Sequence, residues 1–253
     1  MIRTVSVSSI TAVLLVAACS RQPNSTRKPA ECRVLCGSSM AGPAQKVVEL
    51  FRKRHQAEVL LDVGGSETLL PKILAGVPAD VFICHDPFEQ KLKDAGRWAG
   101  SAIVGVLQPA LLVRPGNPRN IHSVADLTRP DLKIGIGDPR YSTCGEVFVQ
   151  LLESKGLVEP VMKQVRLQGR THAEIANGLI LGPLDAVVVW NCIAHLYSNK
   201  VERVRTDERY PPIHVTVVGL QQGSNPGLRD AFLELCRSEE VRAVFAEHGY
   251  VAE

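Results

Sequence analysis

One segment decides the fold: Gly76-Val77-Pro78-Ala79-Asp80-Val81-Phe82-Ile83, where a helix stop is followed directly by a buried strand. Gly76 and Pro78 end the helical pattern that runs from Thr68 to Ala75, because glycine and proline close helices at their C-termini. The strand pattern Asp80 to Ile83 is apolar from Val81 onward, lacks the alternation of a half-exposed strand and is typical of a strand buried on both faces. This segment therefore predicts one helix-to-strand unit of an α/β sheet.

The residues before this segment repeat the alternation of strand and helix. A short apolar run from Arg33 to Cys36 ends at Gly37-Ser38-Ser39, and another from Val59 to Val63 ends at Gly64-Gly65-Ser66. Between the two runs lies a helical pattern with Pro43 in its first turn. The apolar face of that helix carries Val47, Val48, Leu50 and Phe51. This order, with near-continuously apolar strands, predicts a mostly parallel sheet flanked by helices.

A second set of elements follows residues 114–118, whose Pro-Gly-Asn-Pro composition is typical of a crossover. It comprises strands at 133–137, 185–189 and 214–220, a helix at 143–155 that opens on the capping box Thr143-Cys144-Gly145-Glu146, and closing helices at 227–236 and 239–247. The pattern predicts a two-lobed α/β protein with two crossings between the lobes. We expect lobe 1 to take residues 32–113 and 218–253, and lobe 2 to take residues 114–217.

The first 19 residues predict export. Arg3 precedes an apolar stretch that is too short to span a bilayer permanently and is typical of a signal peptide. Its end, Val16-Ala17-Ala18-Cys19, resembles the lipobox of bacterial lipoproteins, which implies cleavage before Cys19 and a lipid on its thiol. The alternative is an ordinary secretory peptide cleaved near Ala18. Residues 20–31 are polar and predict a flexible tether, so we expect a lipid-anchored protein in the periplasm or at the cell surface.

Charge and cysteine content narrow the class of protein. The chain has 29 Lys and Arg against 26 Asp and Glu, a net charge of +3, and these residues are scattered, which argues against a nucleic-acid-binding surface. If Cys19 is lipidated, six of the seven cysteines remain, and six cysteines allow fifteen full disulfide pairings. Their spacing matches no zinc motif. The six are Cys32, Cys36, Cys84, Cys144, Cys192 and Cys236.

Small and hydroxyl residues recur where predicted strands end and helices begin. They are Ser38-Ser39, Gly64-Gly65-Ser66 and Thr143-Cys144-Gly145. Ligands of open α/β sheets bind at the carboxyl ends of strands. Each helix start also offers unpaired N–H groups and the positive end of a helix dipole. A single such site is usually only a helix cap or a turn, but three together predict a pocket that holds an anion without an arginine.

Several stretches resemble the periplasmic molybdate-binding proteins of ABC transporters, which have the type II periplasmic-binding-protein fold. The resemblance extends from residue 33 to residue 250, and the segment 76–83 is its most specific part. The other matching stretches are Gly37-Ser38-Ser39-Met40, Ser66-Glu67-Thr68-Leu69-Leu70, Gly137-Asp138-Pro139 with Thr143-Cys144-Gly145, Leu184 to Trp190, and Val241 to Tyr250. The resemblance implies a monomeric binding protein without catalysis or cofactor, which delivers molybdate or tungstate to a membrane permease.

The resemblance also implies which residues contact the oxyanion. They are the hydroxyls and amides of Ser39 and Ser66, the amide of Cys144, the backbone of Val189, and His214 in the place of the family's tyrosine. Glu67 departs from the family pattern, because a carboxylate facing a bound dianion would oppose binding. We expect Glu67 to point outward from the first helical turn, although the sequence leaves its orientation open.

Two alternatives use the thiols. Cysteine and histidine side chains near strand ends could instead bind a soft metal ion or an arsenite-like metalloid. They are Cys36, Cys84, Cys144, Cys192, His85 and His214. An enzyme is the other alternative, in which Cys144 at a helix N-terminus is a low-pKa nucleophile and His85 or His214 is its base. Buried cysteines that only replace small apolar residues would fit neither alternative.

Overall fold

The computed structural model describes residues 30–251. The signal peptide, Cys19 and the tether up to residue 29 lie outside the described residues, so the export and lipidation predictions are not tested by the structure. No helix within residues 30–251 is long and apolar enough to cross a membrane.

Two five-stranded mixed sheets form the framework. The first has the order β2 (Glu58–Gly64), β1 (Glu31–Gly37), β3 (Val81–His85), β10 (Ile213–Leu220) and β4 (Trp98–Leu107). The second has the order β7 (Val165–Gly169), β6 (Ile134–Gly137), β8 (Ala186–Trp190), β5 (Pro109–Val113) and β9 (Glu202–Arg203). In each sheet the first three strands are parallel, and the fourth runs antiparallel to both of its neighbours. The prediction of a two-lobed α/β protein is confirmed, with sheets that are mixed.

Nine α-helices and two short 3₁₀ helices connect these strands within residues 30–251. The α-helices are α1 (Ala41–His55), α2 (Ser66–Leu74), α3 (Phe88–Asp94), α4 (Thr143–Lys155), α5 (Val158–Met162), α6 (His172–Ile180), α7 (Asn191–Leu196), α8 (Pro226–Cys236) and α9 (Glu239–Glu247). The 3₁₀ helices are Ser38–Met40, directly before α1, and Ala125–Thr128. The face of α1 predicted to be apolar is buried at Val47, Val48 and Phe51, as its spacing requires.

The cap of α4 differs from the predicted capping box. Thr143 is the first helical residue, and Ser142 is the N-cap, with extended backbone angles and a hydroxyl that accepts from the Gly145 amide at 3.4 Å. With Ser142 as the N-cap, the N3 residue is Gly145, which has no side chain to complete a capping box, and Gly145 packs closely against the end of β6. A Cβ on Gly145 would lie 2.0 Å from the carbonyl oxygen of Gly137.

Both crossings lie earlier in the chain than the predicted lobe boundaries at 113/114 and 217/218. The strand β5 belongs to the second sheet and β10 to the first, so the chain crosses at Gln108 and again within residues 204–212. The first crossing carries no turn composition because β4 and β5 are separated by one residue. The segment 114–118 is instead a turn at the end of β5, where the side-chain amide of Asn117 bonds to the backbone of Ile121 in both directions.

The buried side chain of Asn191 ties both lobes to the first crossing. Its Oδ1 accepts from the Gln108 amide at 3.0 Å, and its Nδ2 donates to the carbonyl of Gly249 at 2.8 Å. Asn191 opens α7 in the second lobe, whereas Gly249 lies next to the β4 edge of the first sheet. The relative position of the lobes near the crossing is therefore set by one amide with both its polar atoms paired.

Asp80, within the segment 76–83, fixes the corner where three elements of the first lobe meet. It is 1% exposed, and its two carboxylate oxygens accept from the amides of Arg33 and Asn225, each at 2.8 Å. Its carbonyl also accepts from the Leu220 amide. The start of β1, the end of β10 and the N-cap of α8 are thus joined through one residue.

We expect Asp80→Asn to lower the free energy of unfolding by about 2–4 kcal/mol, because an amide can accept only one of the two N–H groups and leaves the other buried without a partner. Urea denaturation measures this change. Asp62→Asn, an exposed aspartate on β2, is the control and should change stability by less than about 0.5 kcal/mol. Equal losses in both variants would contradict the role assigned to Asp80.

Candidate functional site

A small cavity of about 40 Å³ lies between the two sheets. Every one of the six parallel strands contributes lining residues at or just beyond its carboxyl end, so the cavity is where both sheets direct their strand ends. The lining comprises Gly37, Ser38, Ser39, Met40, Gly65, Ser66, Glu67 and His85 from the first lobe, and Tyr141, Ser142, Thr143, Arg170, Thr171, His172 and Trp190 from the second.

The first lobe places Ser39 and Ser66 in the lining of the same cavity. Ser39 lies in the short helix that leads into α1, and Ser66 is the first residue of α2 and is 3% exposed. The end of β1 packs closely against the start of α2, because a Cβ on Gly37 would lie 2.5 Å from the Ser66 hydroxyl. The absence of a side chain at Gly37 leaves room for the Ser66 hydroxyl and the end of the Met40 side chain.

The second lobe supplies the starts of α4 and α6. Ser142 caps α4, and Thr171 caps α6 through a hydroxyl that accepts from the Glu174 amide at 3.2 Å. Both caps follow parallel strands of the same sheet, β6 and β7. The two helix starts therefore face the cavity from the side opposite the two serines.

Unpaired amides gather at these helix starts. The first two amides of α2, α4 and α6 have no hydrogen-bond acceptor within residues 30–251, because each cap satisfies only the amides that follow. They belong to Ser66, Glu67, Thr143, Cys144, His172 and Ala173. Such amides and the helix dipoles favour an anion at this position.

The predicted contacts do not all line the cavity. Cys144 lies behind the wall, and only its backbone amide belongs to the unpaired set described above. Val189 is replaced by its neighbour Trp190, because Val189 is fully buried within β8 opposite Ala110 and the cavity begins where the strand ends. Both residues were predicted as backbone contacts, and those two contacts stay predictions.

His214 also lies away from the cavity lining. Its ring Nδ1 is 2.9 Å from Oδ2 of Asp86, and its amide donates to the same oxygen at 2.8 Å. The reason is that β10 runs antiparallel to β3, which places His214 beyond the end of β3 and next to Asp86. The assignment of His214 to the family's tyrosine position is not supported by this arrangement.

Glu67 and Arg170 bring opposite charges to the rim. Both are exposed and both line the cavity, Glu67 from the start of α2 and Arg170 from the residue before the Thr171 cap. The Glu67 carboxylate folds back over Gly65, whose added Cβ would meet it at 2.2 Å. Glu67 is therefore exposed, as expected, but its carboxylate is also part of the cavity wall.

The Arg170 guanidinium lies over the ring of Tyr141, with its central carbon 4.4 Å from the ring centroid. Arg140 lies 5.4 Å from the same ring centroid and pairs with Asp138. The hydrogen bond from Arg140 is the main cause that lowers the pKa of the Asp138 carboxyl. Two stacked cations thus hold Tyr141 at the mouth of the cavity.

Two histidines flank Trp190 in the cavity. The ring centroid of His85, at the end of β3, lies 5.9 Å from that of Trp190. The ring centroid of His172, which follows β7, lies 5.8 Å from that of Trp190. Burial lowers the pKa of His85 and, with the nearby His85 as a lesser cause, lowers the pKa of His172 to about 3. Both imidazoles are therefore neutral around pH 7.

The cysteine side chains are not arranged for thiol chemistry. All six described cysteines are free and buried. Burial raises the pKa of Cys192 to about 12 and raises that of Cys144 well above the usual range, which removes the thiolate that a nucleophile requires. In the described part of the chain, no group of three or more His, Cys, Asp or Glu could hold a metal ion. These findings do not support the two thiol-based alternatives.

Sequence reasoning missed Tyr141, Arg170, Thr171 and His172. The strand before the last three, Val-Arg-Leu-Gln-Gly at 165–169, alternates with polar residues and lacks the apolar run used to find the others. One signal was present, since Thr171 and Glu174 have the spacing of a capping box. Applied after residue 169, that rule would have found a fourth helix start.

The chain matches the family model described as bacterial extracellular solute-binding protein over residues 32–251. The molybdate-binding protein ModA of Mycobacterium tuberculosis is 26% identical over 254 residues, covering 96% of this chain and 95% of that protein. A putative ABC transporter substrate-binding lipoprotein of Bacillus subtilis is 29% identical over 261 residues, covering 98% and 97%.

Solved structures share the fold at lower identity. The periplasmic molybdate-binding protein of Azotobacter vinelandii gives a TM-score of 0.75 at 18% identity, over 88% of this chain and 99% of that one. A periplasmic thiamin-binding protein gives 0.77 at 16% identity, over 91% and 86%. The predicted type II periplasmic-binding-protein fold is confirmed by these matches. Since the family model covers most of its length, the chain belongs to the bacterial extracellular solute-binding proteins.

Proposed function

We propose that this protein captures molybdate or tungstate outside the cytoplasm and delivers it to an ABC importer. The observation that carries the proposal is the set of unpaired amides at three helix starts, which surrounds the cavity together with the hydroxyls of Ser39 and Ser66. These donors can replace the water shell of a tetrahedral dianion. The proposed contacts are the two serines and the amide of Cys144, with Thr143 and Trp190 added from the cavity lining.

The size of the cavity supports a small ion as the ligand. At about 40 Å³ the cavity is small but has room for more than one water-sized group. That volume suits a tetrahedral oxyanion better than an organic molecule such as thiamin. The relative named for molybdate at 26% identity makes molybdate and tungstate the first ions to test.

The proposed location, anchor and partner are those of a solute-binding protein of an ABC importer. The protein is exported, anchored by a lipid on Cys19, monomeric, and works without catalysis or a cofactor. The printed name of the Bacillus subtilis relative, a lipoprotein, supports the anchor. Its partner is a membrane permease that receives the ion from the closed form of the two lobes.

Titration of the mature protein with molybdate, tungstate, sulfate and phosphate tests the ligand. At a free ion concentration one hundred times Kd, we expect a stability gain of about 2.7 kcal/mol, which raises the melting temperature by about 5–10 °C. The rise should occur with molybdate and tungstate and stay near zero with the other two ions. If the melting temperature rises only with sulfate or phosphate, the protein is still an anion-binding protein, but molybdate and tungstate are not its ligands.

The two serines can be tested in the same assay. We expect Ser39→Ala and Ser66→Ala each to weaken molybdate binding by about 10–150-fold, because each removes a hydrogen bond to a charged group worth about 1.5–3 kcal/mol. Isothermal titration calorimetry measures the affinities. Ser224→Ala, an exposed serine outside the cavity, is the matched control and should leave Kd unchanged. Unchanged affinity in both site variants would contradict the proposed site.

Cys144→Ala separates an amide contact from thiol chemistry. We expect the variant to bind molybdate within about threefold of the parent, because the contact is the backbone N–H, and to lose about 1 kcal/mol of stability from the missing sulfur. The free Cys144 thiol should also react slowly with iodoacetamide at pH 8, since its pKa is raised by burial. Rapid alkylation, or a stability gain with arsenite that vanishes in the variant, would favour the thiol alternatives.

A further inference from the structure

His172 is a polar group in the cavity that the protein itself leaves without a hydrogen bond. Its Nδ1 is buried and has no partner, and neither ring nitrogen is bonded within residues 30–251. In a neutral imidazole one nitrogen donates and the other accepts. A buried polar atom without a hydrogen-bond partner is costly and rare. We therefore expect the ring of His172 to form a hydrogen bond with a bound ligand.

The neighbour His85 differs from His172 in this respect. Its Nδ1 is 2.7 Å from the carbonyl oxygen of Asp86, and because a carbonyl can only accept, this nitrogen carries the proton. A neutral His85 therefore has no proton left on Nε2 to offer a ligand. Of the two rings beside Trp190, only His172 is free of such a restraint.

The position of His172 disfavours its own positive charge while the cavity is empty. It is the first residue of α6, where the dipole is positive, and the nearby His85 and Arg170 add to the effect if charged. Bringing a dianion to the same helix start reverses the balance, because the negative charge then favours the imidazolium. In the empty cavity, burial is the main cause that lowers the pKa of His172 to about 3, and the nearby His85 is the lesser cause.

We propose that His172 is an oxyanion-contacting residue that binds the dianion together with one proton and donates a hydrogen bond to it as an imidazolium. The inference rests on the proposed function and deepens it, because it makes capture of the ion a proton-coupled step. One proton moves from solvent to the His172 ring for each dianion bound, so no other group needs to change charge. The second imidazole, His85, stays neutral since two adjacent imidazoliums repel each other.

Charged and titratable groups near the His172 ring also influence its protonation. From α2, the Glu67 carboxylate assists the imidazolium, whereas Arg170, from the residue before the cap, opposes it. After β3, Asp86 lies next to His85 and is paired with His214, and Tyr141 lines the cavity. The bound dianion is the only one of these charges that appears on ligand binding, so it alone shifts the protonation of His172.

The sign of the pH dependence follows from linkage. The pKa of His172 is low in the empty protein and higher in the complex, so proton uptake accompanies binding at every pH between the two values. Within that window Kd should fall about tenfold for each unit by which the pH is lowered. Above the pKa of the complex, Kd should no longer depend on pH.

Calorimetry of molybdate binding between pH 5.5 and 8.5, in buffers of different ionisation enthalpy, measures the protons taken up per ion. We expect close to one proton per ion at the acidic end of the range. In His172→Asn and His172→Gln, which keep a hydrogen-bond donor but cannot titrate, the uptake should be lost. Their Kd should be about 10–100-fold weaker than the parent at pH 5.5 and should approach it at pH 8.5.

His122→Asn is the matched control, since this histidine is exposed and lies outside the cavity. It should keep both the affinity and the proton uptake of the parent. Binding of molybdate, tungstate, sulfate or phosphate without proton uptake, or uptake that persists in both His172 variants, would overturn the inference and leave the proposed function standing. If none of the four ions binds, the proposed function fails and the inference fails with it.

Discussion

The structure depends on one geometric constraint: six parallel strands, three from each sheet, end at the same small cavity. Three of these strand ends lead into α2, α4 and α6, whose first two amides have no hydrogen-bond acceptor within residues 30–251. Because no acceptor in the described part of the chain bonds to those amides, water or an anion can satisfy them. The fold therefore concentrates hydrogen-bond donors at one place before any particular side chain is considered.

The chemistry of the cavity follows from the use of neutral donors. Amides and hydroxyls carry no net charge, so they leave no unpaired charge in the cavity when the ion leaves. A buried cation would remain there without a counter-charge, which is costly. The only charged side chains in the lining, Glu67 and Arg170, are exposed and opposite in sign, so their fields partly cancel. In the proposed binding step, His172 is therefore the lining group whose charge responds to the ligand.

Binding and lobe position share a short segment of chain. Trp190 lines the cavity, Asn191 holds the Gln108 crossing, and the Cys192 thiol lies 3.9 Å from the carbonyl oxygen of Ser39. The hydroxyl of Tyr250 donates to the same carbonyl at 2.6 Å. A movement of one lobe relative to the other would therefore change the positions of both Ser39 and Trp190. This connection is a physical basis for coupling hinge closure to occupancy of the cavity.

The sequence by itself determined the two-lobed α/β class and the first-lobe serines, because apolar strand runs and the small residues that follow them are local signals. It also placed Ser39 and Ser66 at helix starts, where the structure has them. The tertiary structure alone decided which side chains of the second lobe reach the cavity. Trp190 and His172 line the cavity at positions that no local pattern assigned. These positions depend on strand register and on how two sheets face each other, and both arise from contacts between residues that are distant in the chain.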